Sequence, residues 1–120
     1  MHWFVAKVVY QIICGEGNHT PQFDEQLRLI SAVTKKDACD KAREIGMQEQ
    51  YAFKNQQQEL VQWKFINVPE VYTLDQLTDG MELYSRIEEP GDPNSYIAWL
   101  QMKSAQLQGQ QYFELNVSPI

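Results

Sequence analysis

The chain has 120 residues, of which 43% are hydrophobic and 22% charged, and its formal net charge is −6. That length fits one domain, and the composition is that of a globular protein rather than a disordered or membrane-embedded one. The sequence has no apolar run of the about 20 residues that a spanning helix needs, and its acidic balance disfavours nucleic acid, whose phosphates are bound through lysine and arginine.

The opening residues, Met1-His2-Trp3-Phe4-Val5-Ala6-Lys7, lack the basic start and small-residue cleavage site of a signal peptide, so a cytoplasmic location is expected. From His2 to Cys14 the residues are β-branched and aromatic, which predicts a strand. Phe4, Ala6, Val8, Tyr10, Ile12 and Cys14 share one face, and Trp3, Val5, Lys7, Val9, Gln11 and Ile13 share the other. Both faces are largely apolar, so the strand is central or has its second face covered. Gly15 to Pro21 reads as a loop, and Leu27 to Val33 as a second strand, antiparallel to the first.

Thr34 followed by Asp37 predicts a helix start, because the hydroxyl accepts a free amide and the carboxylate favours the positive end of the helix dipole. Ala38, Cys39, Ala42 and Ile45 form a stripe of mostly small residues that lets this helix, about 35–48, lie close on a sheet. Its end falls between Ile45 and Gln50, with Gly46 either capping the helix or passed through. Tyr51 to Lys54 and Glu59 to Val68 read as strands joined through Asn55-Gln56-Gln57-Gln58. Pro69 marks an edge, a bulge or the strand end, after which Val71-Tyr72 resumes pairing. Thr73 to Leu77 reads as a helical turn, Thr78-Asp79-Gly80 reverses the chain, and the alternation of Met81 to Glu88 predicts another strand. Asp92-Pro93 caps a second helix, about 93–108, with Ile97, Leu100, Ser104 and Leu107 along one side and Tyr96 and Trp99 widening it. Residues 112–117 are expected as a last strand or an ordered tail.

The chemistry-bearing residues form no known constellation. Cys14, His19 and the distant Cys39 match no zinc spacing, so no metal site and no cofactor are expected. Two cysteines are too few for a disulfide framework, and Cys39 reads as a packing residue rather than a nucleophile. The acidic group Glu82, Glu88, Glu89 and Asp92 reads as a solvated face rather than an acid and base pair. Trp3, Trp63, Tyr84 and Arg86 are the binding-face candidates, if their faces coincide. Against this stands the reading of Trp3, Trp63 and Phe65 as core. Arg86 can equally pair with Glu82 or Glu88.

The succession of an opening Trp-Phe-Val strand, the helix Lys35 to Gly46, Tyr51 with Asn55, Val61-Gln62-Trp63-Lys64-Phe65, Val71-Tyr72 and Asp79-Gly80-Met81-Glu82-Leu83-Tyr84-Ser85-Arg86 resembles the small bacterial proteins grouped as domain of unknown function family 4288. The resemblance covers about residues 1–90 and implies a compact α+β domain of bacterial cytoplasmic type, with no catalytic residues to carry over. The turn at Asn55 lacks the glycine expected in such a hairpin, and the part from residue 90 onward lies outside the resemblance.

The expected architecture is a single α+β domain over 1–120, with a family-like core at 1–89 and a helical extension at 90–120. Its sheet is mostly antiparallel, of four to six strands, with the first helix on one face. The expected function is a non-enzymatic binding or protein-interaction domain that self-associates as a homodimer, because the first strand has two apolar faces and the second helix an oversized apolar side. The alternatives are a small-ligand or enzymatic pocket around Tyr84 and Arg86, with Trp63 and nearby carboxylates, and an acidic neutraliser of a basic partner protein.

Overall fold

The structure, a computed structural model, describes residues 1–116, with side chains except at position 75 and at 110–116. Among these residues the elements are β1 (His2–Cys14), β2 (Gln22–Ala32), α1 (Lys35–Gln48), β3 (Tyr51–Lys54), β4 (Leu60–Asp75) and α2 (Pro93–Asn116). The strands make one antiparallel sheet in the order β2-β1-β4-β3, so the fold is α+β with β1 in the interior of the sheet. The chain divides into two units, Met1–Leu83 and the part from Tyr84 onward.

In the first unit α1 lies on the face of β1 that carries Phe4, Ala6, Val8 and Tyr10, all nearly inaccessible. Ile30, Ala32 and Val68 complete this core from β2 and β4, with Ala38 and Ala42 from the helix. Burying side chains such as Val8, Ile30 and Tyr10, the largest fully buried ones, contributes about 1.5–3 kcal/mol each. Thr34 caps α1 as its position suggests, its Oγ1 accepting the Asp37 amide at 3.1 Å. The helix runs through Gly46 rather than stopping there. The reason is proximity: a Cβ on Gly46 would lie 2.4 Å from Cε1 of Phe65. The Tyr10 hydroxyl donates to the Gly46 carbonyl at 2.8 Å, fixing helix to sheet at this point, and burial raises the Tyr10 pKa.

β2 begins at Gln22, five residues before the expected Leu27, and its whole length pairs with β1 from Ile12 to His2. Its early residues Gln22, Asp24 and Gln26 are polar on the α1 side, where Asp24 and Gln26 pair with the core residues Tyr10 and Val8 and lie along the core's edge. β4 runs from Leu60 to Asp75, so it does not end at Pro69, and it takes up Thr73 to Asp75 of the expected helical turn. Asn67 pairs with Val9 and Glu70 with Lys7, so Val68 and Pro69 stand together opposite Val8 as a bulge. A proline without an amide proton fits there. Thr73 then pairs with Phe4 and Asp75 with Trp3, which draws this stretch into the ladder.

The β3–β4 hairpin closes without glycine. Asn55 Oδ1 accepts the amides of Gln57 and Glu59, each at 3.0 Å, and Gln58 takes the left-handed conformation at φ 64°. The strand expected at Met81 to Glu88 is not formed, and this stretch has no regular structure. Alternation alone does not make a strand without a ladder to join. Here it brings Leu83 onto the sheet instead, as described below.

In the second unit α2 starts at an Asp92 cap, whose Oδ1 accepts the Asn94 amide at 3.1 Å and whose Oδ2 accepts the Ser95 hydroxyl at 2.7 Å. The helix passes the expected end near Gln108 and continues to Asn116. Residues 112–116 are therefore helical rather than strand or tail, and Val117 lies outside the described residues. The glutamines from Gln106 to Gln111 are good helix formers, which carries the helix onward. Ile97, Trp99, Leu100 and Met102 are all about half exposed. At 100° per residue Ile97 and Leu100 lie along one side, as expected, while Trp99 and Met102 lie on the opposite one.

Candidate functional site

The second face of the sheet carries a row of large apolar side chains that are about half exposed. Because β1 and β2 pair without a slip, odd-numbered residues of both strands lie on the side away from α1. On β2 these include Phe23, Leu27 and Leu29, which are 54%, 46% and 51% exposed. Trp3 of β1 and Tyr72 of β4 lie on the same face, each more than a third exposed.

After β4 the chain turns at Thr78-Asp79-Gly80, with the Met81 amide on the Thr78 carbonyl at 3.2 Å. It then returns over this face. Leu77 and Leu83 meet Val5, Leu27, Arg28 and Leu29 around a pocket of about 330 Å³ with almost wholly apolar walls. Val5 is consequently only 5% exposed although it sits on the outward face. Farther along, Lys7 lies half-buried between two carboxylates, its Nζ 3.0 Å from both Glu25 Oε1 and Glu70 Oε2.

The ion pair from Lys7, followed by the Tyr72 hydroxyl, holds the Glu70 carboxyl below its usual pKa. A carboxylate depressed on folding stabilises the protein above its unfolded pKa of about 4.3 and loses that contribution as pH falls through the folded value. Lys7→Met keeps the apolar stem and removes the cation. We expect melting temperature to fall less on acidification in the variant than in the parent when both are scanned from about pH 6 to pH 3. Parallel curves would show that the pair does not set the acid limb.

Along the α1 side of β2 runs a polar row. Gln26 Nε2 donates to Asp24 Oδ2 at 2.8 Å, and Arg28 Nε donates to Gln26 Oε1 at 3.0 Å. Arg28 also forks onto Glu49, which raises its own pKa and lowers that of the glutamate. Trp63 reaches the row from β4, its Nε1 donating to Asp24 Oδ2 at 3.1 Å. The Trp63 ring stacks on Tyr51 with centroids 5.0 Å apart and lies beside Phe53 at 6.4 Å.

Of the four residues singled out in the sequence, Trp3 lies on the outward face and Trp63 on the α1 side, where it packs against the core. The structure does not bring these two together. Tyr84 and Arg86 belong to the second unit, in irregular chain, with Arg86 ion-paired to Glu88. Phe23, Leu27 and Leu29 are the residues that sequence reasoning missed as a surface. Their odd spacing on an edge strand was the available signal, broken by Glu25.

Two other concavities carry less. At the end of β1, Cys14, Glu16, His19 and Glu59 line a polar hollow. There His19 Nε2 accepts the Cys14 amide at 3.0 Å and Nδ1 faces the Thr20 carbonyl at 2.9 Å. This arrangement fits a neutral ring with its proton on Nδ1 and both nitrogens occupied. Among the described residues no three His, Cys, Asp or Glu side chains converge as metal ligands. The other is an open trough between Lys35, Lys36 and Cys39 of α1 and residues 68–72 of β4. No described helix is long and apolar enough to cross a membrane.

Neither a curated protein nor a solved structure matches the chain. A family model described as "Domain of unknown function (DUF4288)" matches residues 3–85.

Proposed function

The chain belongs to the DUF4288 family, whose matched region nearly coincides with the first unit, and we propose that it is a non-enzymatic interaction domain that self-associates through β2, the strand with exposed apolar residues on the sheet face opposite α1. The observation that carries this reading is the row Phe23, Leu27 and Leu29, three large apolar side chains about half exposed on one edge strand. Large apolar side chains exposed together on a folded domain are characteristic of interaction surfaces. Trp3 and Tyr72 supply the aromatic character enriched at interfaces, and the Lys7 ion pairs supply a polar border.

The test is solution mass by light scattering over a range of concentrations, on the full chain and on Phe23→Glu. The full chain is expected at twice its 14.0 kDa mass. Phe23→Glu is expected to associate about thirtyfold more weakly, as loss of a central apolar anchor does, with an unchanged melting temperature at monomer concentrations. A monomeric full chain at high concentration would overturn the reading.

A further inference from the structure

Among the described residues β2 is an edge strand of 11 residues, paired to β1 on one side only. Long edges of this kind are templates for pairing with another strand. A second copy of the same chain approaching this edge about a two-fold axis perpendicular to the sheet pairs antiparallel. It also keeps both α1 helices on the same side. Residues facing one another then have the same parity, because paired side chains point to the same face. Only registers centred on a residue of β2 satisfy this, and the sequence of the strand separates them.

Centring on Asp24 sets Asp24 against itself, centring on Glu25 sets Glu25 against itself, and centring on Arg28 sets Arg28 against itself. Like charges directly opposite are destabilising. Centring on Leu27 sets Glu25 against Leu29 and Asp24 against Ile30, placing carboxylates on apolar partners. Centring on Gln26 is different. It sets Asp24 of each chain opposite Arg28 of the other and Phe23 of each opposite Leu29 of the other, with the Gln26 side chains meeting on the axis; Glu25 of each faces Leu27 of the other, one carboxylate on an apolar partner per chain against two in the Leu27-centred register.

The charged row on one face and the apolar wall on the other both favour this register. On the α1 side the rows Asp24-Gln26-Arg28 already hydrogen-bond within each chain, and the two rows would run antiparallel, charge to opposite charge. On the outward side Leu29 lines the apolar pocket of about 330 Å³ with Val5, Leu27, Leu77 and Leu83, and Phe23 of the other copy arrives at that wall. We propose that two copies join β2 to β2 in the register centred on Gln26, making one continuous eight-stranded sheet, with Phe23 of each chain covering the pocket of the other. This rests on the self-association proposed above and adds its edge, its register and the occupant of the pocket.

Disulfide trapping reads the register. In a chain carrying Cys14→Ser and Cys39→Ser, single cysteines are placed at Glu25, Gln26 or Leu27, and each variant is oxidised and run without reductant. Residues directly opposite in an antiparallel pair lie about 4.5–5.5 Å apart between Cα atoms, inside the range a disulfide spans. At positions 25 and 27 the register leaves the two copies diagonal, roughly 7–8 Å apart. The expected result is covalent dimer from Gln26→Cys, with at least about tenfold less from Glu25→Cys and Leu27→Cys. A dimer by light scattering that is trapped best at 25 or 27, or at none of the three, would overturn this register and leave self-association standing. A chain monomeric by light scattering and untrapped at all three positions would overturn both.

Discussion

Replacing Gly46 by alanine is expected to destabilise the protein by about 1–3 kcal/mol, the cost of overpacking a filled core. At a solvated helix position the same change stabilises by about 1 kcal/mol, because alanine is the better helix former. The sign reverses here because the new methyl would lie 2.4 and 2.6 Å from two ring carbons of Phe65 and 3.1 Å from Cγ1 of Val8. Phe65 has little room to yield, since its ring meets Tyr10 edge-on at 6.0 Å. A retreat of α1 would in turn stretch the Tyr10 bond to the Gly46 carbonyl. Gly109 provides the control, as nothing lies within 4 Å of a Cβ built there. Urea unfolding should show Gly46→Ala with a lower midpoint than the parent and Gly109→Ala with an equal or higher one. A Gly46→Ala protein as stable as the parent would mean that helix and sheet are not held this close.

Trp63→Ala is expected to cost about 3 kcal/mol, the lower end of the range for removing a large aromatic from a core, because the ring is only half-buried. Its indole spans the sheet from β4 to Asp24 of β2, and its faces hold Tyr51 and Phe53, which are themselves about half exposed. Each stacked pair adds about 0.5–1.5 kcal/mol beyond the area it buries. Losing them should release β3, a strand of four residues that pairs only with β4. Trp63→Phe keeps a ring face and removes the N–H, so a smaller loss of about 1 kcal/mol is expected. Denaturant midpoints measure both changes, and hydrogen exchange at residues 51–54 should accelerate in Trp63→Ala alone. Unchanged protection there would show that the hairpin stands on its turn and ladder without the indole.

The parts of this fold that can be read from sequence are those where a local signal and the tertiary context agree. β1 has unbroken β-branched and aromatic residues, α1 has a cap and a stripe of small residues, and β3 has a bounded aromatic run. The start of β2 was missed because Gln22, Asp24 and Gln26 look like loop, although Asp24 and Gln26 belong to a row of hydrogen bonds along the strand. Pro69 left an edge, a bulge or a strand end open, and the pairing of β4 with β1 selects the bulge, opposite Val8. Met81 to Glu88 shows the reverse error, alternation without a ladder. For the site, parity could have assigned Trp3 and Trp63 to their faces only once the pairing of β1 with β4 was known. The apolar row on β2 needed the strand's true beginning at Gln22.

The strand order has a consequence for how the chain reaches its native state. β1 is made before β4, yet one whole side of it pairs with β4, Cys14 against Val61 and Trp3 against Asp75. During synthesis the β1–β2 hairpin can close early, but it must hold an unsatisfied edge until the chain beyond residue 75 has left the ribosome. Contacts of such sequence separation slow folding, and an exposed hydrophobic edge invites misassembly in that interval. A nascent chain stalled before β4 is therefore the form of this protein most dependent on a chaperone, and completion of β4 is the step that ends the dependence.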